Sequence, residues 1–161
     1  MKRSWTPISL LAVGLIVAWG EPLAAQDDAP ARLAEFGERM VGTWESADSR
    51  HVFEWGVGRL AIRTRSYFED GPRWRLVSEG FWYWDPTARA IRGVSVAVDM
   101  PVALFEYTSR IQGDEIVHDL VTHGDMAGRY VERWIFQGDA YAWTLEQGGA
   151  RLAAGRYLKA P

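Results

Sequence analysis

Glu132 is the carboxylate with the least ordinary surroundings in this chain. Alternation puts it on one strand face with Tyr130, Trp134 and Phe136, opposite Arg129 and Arg133. A carboxylate on such a face must find a cation, take up a proton, or escape to solvent at a local bulge. Arg156, between Ala154 and Leu158 on the last run, is the candidate cation. His118, flanked on its face by Ile116 and Leu120, is a half-buried imidazole that can bond a ligand or serve as acid or base. His51 and His123 complete the three histidines. His118 and His123 are an odd number of residues apart, so they point to opposite faces and no metal pair is expected. No Gly-x-Ser-x-Gly, phosphate loop or clustered metal motif occurs, which leaves hydrolase and nucleotide chemistry without a positive sign.

The elements that position these residues are mostly strands. Arg32 to Met40 has Leu33, Phe36 and Met40 at helical spacing, which predicts one short amphipathic helix. Beyond it the period changes to two. About ten runs rich in β-branched and aromatic residues follow, separated by turn residues such as Asp85-Pro86, Gly113-Asp114 and Gly138-Asp139. No second long helical stretch appears, so parallel crossover units are excluded. The fold class expected is all-β: an antiparallel up-and-down barrel of about ten strands with one short N-terminal helix.

Alternation also says what such a barrel would hold. From Arg73 to Trp84, the residues Trp74, Leu76, Ser78, Gly80, Trp82 and Trp84 share a face opposite Arg73, Arg75 and Glu79. Large aromatics mixed with small polar groups make an interior wetter than a packed core, and a barrel of this size can enclose a small-molecule cavity. The ligand-binding candidates are Trp74, Trp82, Trp84, His118, Glu132 and Trp134. The competing expectation is a filled core whose serines and threonines bond locally.

The N-terminus divides from the rest. Lys2 and Arg3, the charge-free apolar run from Ile8 to Ala18, and Pro22, Ala24 and Ala25 before Gln26 are the three parts of a secretory signal peptide. That run is short against the roughly 20 residues needed to span a bilayer, so no membrane span is expected once residues 1–25 are removed. Residues 26–31 read as a linker and 32–161 as the barrel domain. The expected location is periplasmic or secreted, which the absence of cysteine from all 161 residues fits. A formal net charge of −3, with arginines scattered singly along strands, lacks the footprint of a nucleic-acid binder.

Gly42-Thr43-Trp44, just after the helix and opening the first strand, resembles the Gly-x-Trp start of the lipocalin and calycin barrels. Arg156 stands where that superfamily places an arginine over the tryptophan, and the resemblance implies a closing stack of Arg156 on Trp44. With the Phe81-Trp82-Tyr83-Trp84-Asp85-Pro86 hairpin, the barrel region resembles bacterial lipocalin-like proteins related to nitrobindin. Those barrels bind haem through a histidine in a His-Leu-x-Ala setting on the last strand. The similar stretch here is Arg151-Leu152-Ala153-Ala154, and Glu45-Ser46-Ala47-Asp48 replaces the glycine-rich continuation of the opening motif, so no haem or other cofactor is expected. Fatty-acid barrels hold a carboxylate through Arg-x-Tyr, whereas Arg156 and Tyr157 are adjacent and face opposite sides.

The function expected is an exported lipocalin-like barrel that binds a small apolar or amphipathic molecule, with Glu132, His118 and Arg156 as polar anchors. The alternative is a cofactor-free isomerase or cyclase using His118 or Glu132 as general base in the same cavity. An outer-membrane barrel would need a continuous lipid-facing apolar band, and both faces of these strands carry polar breaks. Oligomeric state is not legible.

Overall fold

A computed structural model describes residues 28–161; the expected signal peptide lies outside them. The chain forms a helix α1 (Asp28–Met40) and ten strands: β1 (Gly42–Glu45), β2 (Ser49–Trp55), β3 (Ala61–Asp70), β4 (Arg73–Asp85), β5 (Ala90–Ala97), β6 (Val102–Gln112), β7 (Glu115–Gly124), β8 (Gly128–Gln137), β9 (Ala140–Gln147) and β10 (Ala150–Lys159). Every strand pairs antiparallel with its sequence neighbour, and β1 pairs with β10 to close the barrel. This is the expected all-β, up-and-down architecture, consistent with a lipocalin-like barrel. Among the described residues no helix is long and apolar enough to cross a membrane.

The hairpins follow from turn chemistry. Gly113-Asp114 joins β6 to β7 and Gly138-Asp139 joins β8 to β9, with glycine φ of 63° and 59°. A glycine with positive φ at the first loop position gives a two-residue turn whose twist matches that of the strands. Outward faces carry cross-strand pairs of arginine with carboxylate, among them Arg63–Glu79, Arg65–Glu54, Arg110–Asp119 and Arg133–Glu115. Each such exposed pair contributes about 0 to 1 kcal/mol. Their main consequence is that the apolar faces turn inward.

The helix begins at Asp28, four residues before the expected Arg32, and so takes in part of the expected linker. Pro30 does not prevent this, because a proline in the first turn has no intrahelical bond to lose. α1 plugs one end of the barrel. Leu33, Phe36 and Met40 are buried against the inward side chains, and each contributes about 2 kcal/mol by leaving water. Gly37 costs about 1 kcal/mol in helix propensity, but a Cβ there would lie 2.2 Å from the Trp55 ring. The glycine is where the tryptophan seats. Trp44 then ties the helix to the sheet, its indole Nε1 donating to the Met40 carbonyl at 2.7 Å.

Three departures from strict alternation occur, one of them in β6 between Val102 and Leu104, where the shift lets both Val102 and Phe105 reach the interior. Ser66 pairs with Ser78 while Tyr67 pairs with Leu76, so Val77 is the extra residue of a β-bulge in β4. Val77 is buried, and the strand before it changes face. The third irregularity falls between Arg151 and Ala153 in β10 and leaves Leu152 exposed.

Candidate functional site

The barrel interior away from α1 holds a cavity of about 330 Å³. Every strand from β2 to β10 contributes to its wall. Phe53, Trp82, Trp134, Tyr141 and Trp143 supply aromatic surface deep inside, and Phe68, Met100 and Met126 flank the mouth. Phe53 and Trp134 lie 5.7 Å apart and Trp82 and Trp134 6.0 Å apart between ring centroids, within the range of favourable aromatic contact. Trp82 and Trp143 each lie across a strand pair from a glycine, Gly93 and Gly155. A Cβ at either glycine would sit 2.4 Å from the facing indole Nε1, so both rings use the missing side chain as their seat.

Glu132 reaches this cavity from the middle of β8, where pairing with β7 and β9 runs without interruption. Burial pushes its carboxyl up to about 7; the Trp134 side chain opposes that shift in part. Among the described residues no lysine or arginine lines the cavity. Across from Glu132 runs a chain of hydrogen bonds absent from the sequence-level expectations. The Tyr141 hydroxyl meets His51 Nδ1 at 2.7 Å, and the Tyr157 hydroxyl meets His51 Nε2 at 3.4 Å and Ser49 Oγ at 2.7 Å. Ser49 Oγ meets Ser46 Oγ at 2.7 Å, and Ser46 donates to Asp48 at 3.1 Å, in the turn between β1 and β2. The chain therefore links the cavity wall to the surface. Burial lowers His51 to about 4 and pushes the Tyr107, Tyr141 and Tyr157 hydroxyls up, so at neutral pH these are uncharged donors and acceptors.

Of the residues expected at the site, the structure brings together Trp82, Glu132 and Trp134. The others lie elsewhere. Trp74 precedes the Val77 bulge, which turns it to the outer face, where the Arg50 guanidinium lies 4.5 Å from its ring centroid. Trp84 sits one turn of alternation beyond Trp82, near α1, and lines a separate cleft with Arg32 and Arg89. His118 is fully buried inside the barrel, across the β7–β8 pair from Glu132, but it sits toward α1 and does not line the cavity, packed 4.5 Å from Trp134 and 6.3 Å from Phe36. Its Nδ1 meets Ser109 Oγ at 2.8 Å and its Nε2 has no partner. Burial lowers it to about 3, with the Arg110 charge adding to the effect, so it is a poor base at neutral pH.

The expected stack of Arg156 on Trp44 is also corrected. In β10 Tyr157 faces inward, which turns Arg156 out to solvent and away from both Trp44 and Glu132. The cation over Trp44 is Lys159, its pairing partner across β1 and β10, with Nζ 5.4 Å from the ring centroid. Among the described residues no three carboxylate or imidazole side chains gather to hold a metal ion.

Arg151, at the position compared above with the haem-binding histidine of nitrobindin-type barrels, is exposed. His51 is bonded at both nitrogens, and His118 does not line the cavity. Comparison with known protein families, with curated proteins and with solved structures finds no match to this chain.

Proposed function

We propose that this protein is an exported carrier or receptor that binds a small, largely apolar molecule inside its barrel. The observation that carries this is the cavity of about 330 Å³ with aromatic walls and a mouth between Phe68, Met100 and Met126. Pockets of this volume bury most of a drug-sized molecule, with the area coming from apolar walls and the orientation from a few polar groups. Trp82, Trp134 and Phe53 form the apolar part here, and Glu132, His51 and Tyr141 the polar part. The kinship with nitrobindin-type barrels belongs to the same proposal, as a shared scaffold without the haem.

Native mass spectrometry of protein from the cell envelope tests both halves of it. A co-purifying mass lost on denaturation supports binding, and a polypeptide starting near Gln26 supports export. A polypeptide retaining Met1 would remove the export half. Calorimetric titration of the purified protein with naphthyl ligands of one shape and different charge, an amine, an alcohol and a carboxylate, tests the cavity directly, and absence of saturable heat from all of them would overturn the binding half.

A cofactor-free isomerase or cyclase is the second reading, and the carboxyl held at about 7 favours it, since a general base works best near the operating pH. Glu132 would be that base. Incorporation of solvent deuterium into the co-purified molecule, abolished by Glu132→Gln, would support catalysis; reversible binding with no exchange would support the carrier.

A further inference from the structure

The polar groups in the cavity differ in a way that selects ligand charge. Among the described residues its only carboxylate is Glu132, no lysine or arginine lines it, and the remaining polar groups are hydroxyls, indole N–H groups and the His51 imidazole. An anionic ligand would meet no cation and one acid. A wholly apolar ligand would leave the carboxyl with no cation beside it, only the neighbouring Trp134 indole. The aromatic faces of Trp82, Trp134, Phe53 and Tyr141 surround the same space, and aromatic faces attract organic cations. The buried indole N–H groups of Trp82 and Trp134 have no hydrogen-bond partner, but as donors they cannot hold a protonated nitrogen. The Trp82 Nε1 edge abuts Gly93 in the wall, while the Trp134 side chain acts on Glu132 in the direction that favours its charged form.

We infer that the natural ligand class is an apolar amine: a protonated nitrogen seated at the Glu132 carboxylate, carried on an aromatic or aliphatic body that fills the aromatic walls. This rests on the proposal that the cavity binds a small molecule, and it names the class.

Charge in the site changes through a single group over the useful pH range. The titratable side chains near Glu132 are His51 on β2, Tyr107 on β6, His118 on β7, Tyr130 on β8 itself, and Tyr141 and Tyr157 on β9 and β10; the linings from β3, β4 and β5 contribute no titratable group. Both imidazoles are lowered to about 4 and 3, and the Tyr107, Tyr141 and Tyr157 hydroxyls are raised. Glu132 alone crosses from neutral to charged near pH 7. Amine binding must therefore rise as pH increases through that value and fall again only where the amine loses its own proton.

Three ligands of one shape separate the possibilities: 2-(1-naphthyl)ethylamine, 2-(1-naphthyl)ethanol and 3-(1-naphthyl)propionate, titrated calorimetrically into the full mature chain. At pH 8 the amine is expected to bind about tenfold or more tightly than the alcohol, with the propionate weakest. Below pH 7 the amine should lose close to tenfold per pH unit, while the alcohol changes little. Glu132→Gln should erase the preference of amine over alcohol without abolishing alcohol binding, and the wild-type pH profile gives the same answer independently of that variant's folding. Alcohol or propionate binding as tightly as amine, or an amine affinity flat from pH 5 to 8, would overturn the amine assignment and leave the binding cavity standing. Saturable heat from none of the three would overturn the cavity reading itself, and the amine assignment with it.

Discussion

Glu132→Gln keeps the shape of the side chain and removes its ability to ionise, so the pH dependence of the difference isolates the carboxyl. Burial holds that carboxyl at about 7 in the folded chain against an ordinary 4.5. Between those values the folded chain carries a proton that the unfolded chain has released, so stability falls as pH rises through the interval and levels off above it. The interval spans roughly two and a half pH units at about 1.4 kcal/mol each, which sets a ceiling of about 3.5 kcal/mol on the cost of a charged Glu132 at pH 8. Glutamine escapes that cost. Relative to wild type, the variant should therefore gain up to about 3.5 kcal/mol between pH 4.5 and pH 8.

The two buried imidazoles act in the opposite sense. His51 and His118 are lowered from 6.5 to about 4 and about 3, so the stability they contribute is complete above 6.5 and is lost as pH falls toward those values. Between pH 4.5 and 6.5 wild type should then lose roughly 1.4 kcal/mol per unit of acidification, the two imidazoles less the carboxyl, and the variant about twice that. Urea unfolding followed by tryptophan emission at pH 5, 6, 7 and 8 measures both slopes, provided the denaturant dependence is unchanged. A variant difference equal at pH 5 and pH 8 would mean that Glu132 is solvated. One that turns against the variant with rising pH would mean that its charge is paired in the folded chain.

Gly93→Ala should cost about 1 to 3 kcal/mol, because its Cβ would meet the Trp82 indole at 2.4 Å; an unchanged thermal midpoint would show that the ring has another seat. Lys159→Ala should cost about 0.5 to 1 kcal/mol by removing the cation over Trp44, while Arg156→Ala stays within about 0.5 kcal/mol, and the reverse ranking in chemical denaturation would contradict the assigned closure. Ferric haem should give no stoichiometric Soret complex; a saturable band lost in His51→Ala or His118→Ala would show an interior imidazole ligating the iron.

The barrel was legible because period-two alternation and glycine-aspartate turns are local signals. Trp82, Glu132 and Trp134 were legible for the same reason, each lying on an unbroken strand segment. Trp74 was not, because a bulge adds one residue without any change in composition, and every position before Val77 then reverses face. Arg156 failed differently. Either face of β10 reads as half apolar, and what decides is Tyr157 bonding to Ser49, 108 residues away. His51 shares an alternation face with Ser49, Phe53 and Trp55, but its partners Tyr141 and Tyr157 lie 90 and 106 residues further on. Only barrel closure through β1 and β10 brings those partners alongside.

The helix plug has a kinetic corollary. With Phe36 packed against Trp82 and His118, that end of the interior is closed, so a ligand bound as proposed and the water it displaces would pass the same gate in opposite directions. Enlarging that gate, for example by Met126→Ala, acts on the transition state for passage and leaves the seat near Trp134 untouched. On- and off-rates should then accelerate by a common factor while the dissociation constant stays fixed, whereas changes at the seat should appear mainly in the off-rate.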